Sequence, residues 1–297
     1  MFNLIKYKFW FIGFSVLITI LAITSMVKFG FRPGIDFAGG SMWEIKFDSN
    51  NTVGVEQLSD FFSSKKIEGF LVRPGQAKED FSVRLKELSE QEHQDLRAGL
   101  AEKFGSFEEM SFSSIGPAIG KELQSRSILA FCFVLLGISL YIAFAFRKVA
   151  YPISSWKYGL ATLICLFHDS IIPAGLFAFW GYKYGAEIDT NFIVAILVIM
   201  GFSVHDTIVV FDRIRENLLH SKKKEDFSTI INQSVNQTFT RSFNTSFTLF
   251  IVLIALYMFG VSSLGYFALI ILIGTIIGTY SSIFVASPLL TFFYRKN

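Results

Sequence analysis

The chain has 297 residues, 52% of them apolar and 35 of them phenylalanine, with a mean hydropathy of +0.48. That apolar content excludes an ordinary soluble domain, and a net charge of +3 is too small to hold a nucleic acid. The only two cysteines, Cys132 and Cys165, both fall in apolar runs, which excludes a disulfide framework or a Cys-rich metal site.

Six runs are long and apolar enough to cross a bilayer core, which needs roughly 18 to 20 residues. The first is Phe9 to Val27. Lys6 and Lys8 precede it as in a signal peptide, but its apolar stretch is too long and no small-x-small cleavage site follows. It is expected to stay as an anchor.

A polar segment comes next. Ser41 to Phe47 alternates apolar and polar like a half-buried strand, and Val53 to Ser64 reads as a helix. Gly69 to Arg73 and Asp80 to Leu85 read as strands joined through the turn signal Pro74-Gly75. Ser89 with Glu92 three residues on is a capping box for a helix running to Phe104, and Phe107 to Ile115 closes the set as a strand. The order β-α-β-β-α-β is that of a ferredoxin-like split unit. Gly34, Gly39 and Gly40 read as a tight turn into its first strand; Gly116, Pro117 and Gly120 read as the hinge where it rejoins the membrane. A phosphate loop is not expected there, because no lysine or helix start follows at the required spacing.

The remaining spans are Ser127 to Phe146, Tyr158 to Trp180, Ile188 to Phe211, Phe243 to Gly260 and Leu264 to Phe293. The last carries Gly274 and Gly278, a small-residue face for close helix packing. Three parts follow: a membrane anchor over residues 1–28, an extracytoplasmic α+β domain over 29–126 and a five-helix membrane domain over 127–297. Lys6, Lys8, Arg147, Lys148, Lys157, Arg213, Arg215, Lys222–Lys224, Arg241, Arg295 and Lys296 all fall on one side, against Lys183 alone in the opposite short loops. Both termini are therefore expected in the cytoplasm and the α+β domain outside.

Asp206 sits inside the fourth span. A carboxyl there is costly, by about 2.5–3.5 kcal/mol on insertion scales, and marks a pathway for ions or protons. Arg241 at the start of the fifth span reads either as its counter-charge or as a topology signal. His168 and Asp169, midway along the third span, read either as a second relay stage or as a hydrogen-bonding anchor between helices. Asp212, Arg213, Arg215 and Glu216 follow where the fourth helix leaves the membrane, as solvated helix-end charge, a proton entry or a partner dock. A metal held by the pairs His168–Asp169 and His205–Asp206 is disfavoured, since neighbours on a helix point about 100° apart.

Four motifs carry a family resemblance: Gly34-Ile-Asp-Phe-Ala-Gly-Gly40, Ile115-Gly-Pro-Ala-Ile-Gly-Lys-Glu-Leu123, His168-Asp169, and Gly201-Phe-Ser-Val-His-Asp-Thr-Ile-Val-Val-Phe-Asp-Arg-Ile-Arg-Glu-Asn217. Asn236 to Ser242 and Thr245-Ser246 extend it. With one span, an α+β domain and five further spans, the chain resembles the SecF family of the bacterial Sec protein-export machinery, half of an RND-type transporter. It departs from the family pattern at Ala38, His205, Ser170 and Ser242, where Thr, Asn, Val and Thr are usual.

The resemblance implies a subunit of the inner membrane, not an enzyme and without cofactor. Its implied partners are SecD, the Sec translocon channel, the exported unfolded polypeptide and the lipid bilayer. It also implies use of the proton gradient, for which Asp206, Arg241, Asp169 and His168 are the candidate pathway; His205, where the family has Asn, leaves open an extra imidazole in it. The rival readings are an RND-like half for small molecules or lipids, a scaffold without proton traffic, and an intramembrane metalloprotease. The last lacks a His-Glu-x-x-His arrangement.

Overall fold

The computed structural model describes residues 3–48, 53–67, 69–75, 77–147, 153–220, 226–260 and 264–294. Lys148, Lys222–Lys224, Arg295 and Lys296 of the orientation argument lie outside them. The chain forms two compact units. One is helical and takes in residues 1–32, 129–186 and 191–297; the other is α+β and takes in 33–128 together with Glu187–Thr190.

The α+β unit opens with the short helix α2 (Ile35–Ala38) and continues as β1 (Gly40–Phe47), α3 (Val55–Ser64), β2 (Leu71–Pro74), β3 (Asp80–Leu85), α4 (Glu90–Phe104) and β4 (Phe107–Ile115). The strands form one antiparallel sheet in the order β2-β3-β1-β4, the ferredoxin-like arrangement. Alternation places Trp43, Ile45 and Phe47 of β1 and Phe81, Val83 and Leu85 of β3 on one face. Leu58, Phe61 and Phe62 of α3 and Leu96 and Leu100 of α4 cover that face and complete the core. Each such side chain contributes about 1.5–3 kcal/mol by leaving water.

The expected capping box starts α4: Glu92 N–H donates to Ser89 Oγ at 3.4 Å, and Ser89 N–H to Glu92 Oε2 at 2.8 Å. The Ser89 N–H bond foremost, and a second from Ser89 Oγ to the same oxygen at 2.7 Å, hold the Glu92 carboxyl below its ordinary value. A polar knot fixes β4 on α4: Trp43 Nε1 donates to Glu109 Oε2 at 2.9 Å, and His93 Nε2 meets the same oxygen at 2.9 Å while its ring stacks on Phe112.

Gly39 and Gly40 lead into β1 with φ of +79° and +125°. A Cβ on Gly40 would lie 2.7 Å from the Leu85 carbonyl oxygen, so that turn admits only glycine. Gly34 has ordinary extended backbone, and its N–H donates to the Ile188 carbonyl at 2.8 Å. Gly120 lies inside a helix, α5 (Pro117–Ala145), where a Cβ would meet the Phe37 carbonyl oxygen at 2.9 Å. Gly116 precedes that helix beside Glu87, and Pro117 is its first residue.

Among the described residues, six helices are long and apolar enough to cross a membrane. A single 3-10 turn, Ile5–Tyr7, leads into α1 (Lys8–Phe29). Then come α5, α6 (Ser155–Tyr184), α7 (Thr190–His220), α8 (Phe227–Phe259) and α9 (Gly265–Ser281); a π-turn (Ser282–Ala286) joins α9 to α10 (Ser287–Phe293). All six expected spans are present, but α5 and α8 begin 10 and 16 residues before their apolar runs (Ser127 against Pro117, Phe243 against Phe227). Polar turns extend them beyond any bilayer-length apolar stretch.

The break in the last span has a local cause. Pro288 has no N–H for the Phe284 carbonyl, and its ring would crowd that carbonyl in a regular helix. The wide turn takes up the conflict, and Ser287 Oγ donates to the Ser282 carbonyl at 3.1 Å.

Tyr158 stacks on Phe146 at 5.1 Å within one core cluster, and Phe211 meets both rings edge-on. Gly274 and Gly278 let α9 approach α7: a Cβ on Gly274 would overlap Ile199, and one on Gly278 would touch Ser203 at 3.2 Å. Cys165 is buried, and Cys132 is exposed on α5.

Candidate functional site

The site begins with the periodicity of α7. Its buried positions Phe192, Ala195, Ile196, Ile199, Met200, Ser203, Asp206, Thr207, Val210, Phe211 and Ile214 follow a 3.6-residue stripe, the face that packs against other helices. Asp206 falls on this stripe and is 6% exposed, whereas its neighbour His205 points away with 57% of its side chain exposed.

Two carboxyls are buried in this unit among the described residues, and their surroundings differ. Asp169 of α6 is fully buried. Its Oδ1 lies 2.7 Å from His168 Nδ1; its Oδ2 accepts Ser281 Oγ from α9 at 2.6 Å and Ser203 Oγ from α7. Three donors therefore converge on one carboxylate, and two of them come from other helices. His168 Nε2 is buried with no hydrogen-bond partner among the described residues. Pro173, four residues after Asp169, removes the amide that would otherwise bond its carbonyl.

Asp206 is held far more loosely. Ser246 Oγ of α8 donates to its Oδ2 at 3.3 Å, and His205 Nδ1 lies 3.7 Å from its Oδ1. Ser246 in turn shares a hydrogen bond of 2.5 Å with Thr279 of α9. Beside the carboxyl lies a cavity of about 10 Å³, lined by Ser203, Asp206, Thr245, Ser246, Thr275 and Thr279 with Phe202, Leu249 and Gly278. Its volume approximates one water molecule, and its lining offers several polar partners. Ser203 belongs to both sites: it lines this cavity while bonding Asp169.

Arg241 is not brought onto Asp206. It lies exposed on α8, and no ion pair joins it to that carboxyl among the described residues. The four charges at the end of α7 pair within their own helix, Arg213 with Glu216 at 2.8 Å and Arg215 with Asp212 at 2.7 Å. No group of three or more His, Cys, Asp or Glu side chains is gathered to hold a metal among the described residues.

Sequence reasoning missed a hydroxyl ladder. Ser234, Thr238, Ser242 and Ser246 recur every fourth residue of α8 and so share one face. The first three are buried, and the fourth reaches Asp206. At the far end, Asn217 Nδ2 of α7 donates to Ser234 Oγ at 2.8 Å and to Gln237 Oε1 at 2.9 Å. Between them, Ser242 Oγ and Thr207 Oγ1 are buried without hydrogen-bond partners among the described residues. The i, i+4 repeat was present in the sequence as a signal.

Residues 96–296 match the family model described as "Protein export membrane protein SecD/SecF, C-terminal", and residues 24–50 match the "SecD/SecF GG Motif". A protein translocase subunit SecF of Thermobaculum terrenum is 42% identical over all of this chain and 95% of its own length. A protein translocase subunit SecDF of Brucella abortus is 34% identical over 98% of this chain, which spans 37% of that longer protein. The crystal structure of SecDF from Thermus thermophilus superimposes with a TM-score of 0.83 at 32% identity, covering 98% of this chain and 38% of that one.

Proposed function

Because the chain belongs to the SecD/SecF family of protein-export membrane proteins, we propose that it is a SecF subunit that couples the proton gradient to polypeptide export through Asp206. It is a multi-pass membrane protein and acts as an accessory subunit of the Sec translocon, not as an enzyme. The observation that carries the coupling role is the contrast between the two carboxyls. Asp169 is saturated by three donors and braces α6, α7 and α9. Asp206 keeps one long hydrogen bond and an adjoining polar cavity, so it is the group free to exchange a proton.

The hydroxyls of α8 line a polar face from Asn217 toward Asp206. Ser234 and Thr238 donate to carbonyls of their own helix, Ser242 and Thr207 stand unbonded along it among the described residues, and this face is the route we assign to the proton. His205 and Arg241 flank that route, and the His168–Asp169 pair fixes Ser203 in the cavity wall. With the basic residues inside, both termini and the Asn217 end face the cytoplasm of a bacterial inner membrane, and the α+β unit lies outside.

SecD is the partner this reading requires. In the SecDF relatives a segment like this chain is part of a longer polypeptide. The surface here also asks for a partner: His205, Arg241, Asn244, Thr245 and Thr248 are exposed on helices of membrane-spanning length. Polar groups in that position face protein or a water-filled path in preference to lipid. The translocon channel and the exported unfolded chain complete the assembly.

The test is Asp206→Asn in membrane vesicles containing SecD and the channel. Gradient-dependent export is expected to fall at least about tenfold, the scale of losing a proton carrier, with ATP-driven translocation and complex assembly intact. Unchanged gradient-dependent export would remove Asp206 from the mechanism.

A further inference from the structure

The α+β unit includes four residues far away in sequence, Glu187–Thr190, which precede and begin α7. Interactions inside the unit hold them along their length. Glu187 receives two guanidinium groups, Arg73 Nη2 on Oε1 and Arg84 Nη1 on Oε2, each at 3.0 Å. Its side chain is only 10% exposed, so the carboxylate end of this double ion pair is shielded while the arginines stay partly in solvent. Ile188 forms a parallel bridge with Pro33, and its carbonyl accepts the Gly34 N–H at 2.8 Å. Asp36 Oδ2 accepts the Thr190 N–H at 2.7 Å.

The last of these bonds has a particular chemistry. Thr190 is the first residue of α7, and its amide is among those a helix leaves unsatisfied at its start. A carboxylate there both accepts the bond and meets the positive end of the helix dipole. Asp36 comes from the Gly34-to-Gly40 motif, so part of that motif serves as a grip on α7 as well as a turn into β1.

From Thr190, α7 runs without a break to His220 and carries Asp206 sixteen residues on, about 24 Å along its axis. A shift or rotation of this helix is transmitted along its hydrogen-bonded length to its first residue. There it meets a carboxylate from α2, and three residues earlier the chain meets two arginines, from β2 and β3.

We propose that Asp36 and Glu187 are positioning residues for coupling: they clamp the start of the Asp206 helix to the α+β sheet, so that a change at Asp206 is delivered to β2 and β3. The proposal rests on the reading of Asp206 as the coupling carboxyl. Arg73 and Arg84 are the receiving ends, and neither ion pair requires proton transfer.

The test is a mutant cycle read by hydrogen exchange on the complex with SecD in lipid nanodiscs. Asp206→Asn, which mimics the uncharged carboxyl, is expected to change exchange at the amides of β2 and β3 by about threefold or more. On a Glu187→Gln background that change disappears. Asp36→Ala also abolishes it, whereas Asp36→Asn, which keeps an acceptor for the Thr190 amide, preserves it. A change that survives Glu187→Gln, or no change with Asp206→Asn alone, overturns the clamp. So does Glu187→Gln stripping protection from the whole sheet, since the pair would then only staple the fold. Gradient-dependent export of Asp206→Asn is measured in parallel. Normal export beside intact exchange coupling would refute the carboxyl's role and leave the clamp standing.

Discussion

Asp169→Ala tests the division of labour between the two carboxyls, because the brace and the carrier differ in what their loss costs. The substitution removes the acceptor for Ser203 of α7 and Ser281 of α9. Interhelical hydrogen bonds in membrane proteins are worth about 0.6 kcal/mol on average and up to about 1.7, so the two give about 1–3.5 kcal/mol. His168 then loses its partner at Nδ1, with Nε2 already unpartnered. A buried polar group left unsatisfied adds about 1–3 kcal/mol. The expected loss is therefore about 2–6 kcal/mol. Asp206→Asn keeps an oxygen for Ser246 and disturbs one long bond, so its cost is below about 1 kcal/mol. Reversible unfolding of the full chain in mixed micelles, followed by tryptophan fluorescence, measures both. Ser203→Ala and Ser281→Ala refine the result, for each is expected to weaken the wild type and to have no further effect once Asp169 is alanine. If Asp169→Ala costs no more than Asp206→Asn, three converging donors do not make a brace, and the argument that leaves Asp206 as the exchangeable group loses its contrast.

Two further predictions concern the α+β unit. Gly40→Ala is expected to cost about 1–3 kcal/mol, because φ of +125° is strained for any side chain and the new Cβ meets the Leu85 carbonyl; faster exchange of the β1 and β3 amides reports it, and Gly13→Ala, with nothing near its Cβ, is the silent control. Glu44 is held above the ordinary value of 4.5 by burial first and by the Asp80 charge second. The folded unit therefore binds this proton more tightly than the unfolded chain. Its contribution to stability is greatest at or below pH 4.5 and declines as pH rises through the raised folded value. Glu44→Gln should accordingly slow exchange in β1 at neutral pH, with the gain vanishing in acid; a gain that is the same at both pH values would contradict the assignment.

The elements that were legible from sequence are those with a strong local period. Ser41 to Phe47 alternates with period two and becomes β1; the four-residue register of the Ser89–Glu92 box sets the start of α4. The strands Asp80–Leu85 and Phe107–Ile115 have the bounds that were expected. Span edges were less legible, because a helix outlasts its apolar run: α5 begins at Pro117, a residue whose missing amide suits a first turn and which read as a hinge. Partners distant in sequence left no local trace. Asp36 and Thr190 are 154 residues apart, and Arg84 and Glu187 are 103 apart. Ser203 and Ser281 carry no local pattern that sets them apart, and only their convergence on Asp169 gives them a role.

Arg241 carries the argument one step further. Among the described residues it forms no ion pair with Asp206, whose carboxyl keeps Ser246 and His205 as its contact partners, so its charge acts on that group only from a distance. Arginine stays charged throughout the accessible pH range, so the group cannot escape the cost of its position by losing its proton. It either extends to the interface or is met by an acceptor from another chain. The second alternative fits the rest of the surface: His205, Asn244, Thr245 and Thr248 are exposed along the same two helices, α7 and α8. Thr245 and Thr248 already donate to carbonyls of α8, at 3.0 and 2.7 Å, but His205, Arg241 and Asn244 gain little from lipid, whereas a second helical half with its own polar side chains would meet them. The carboxyl and the α8 hydroxyls belong to this chain, and a polar partner helix laid over that face is what would complete their surroundings.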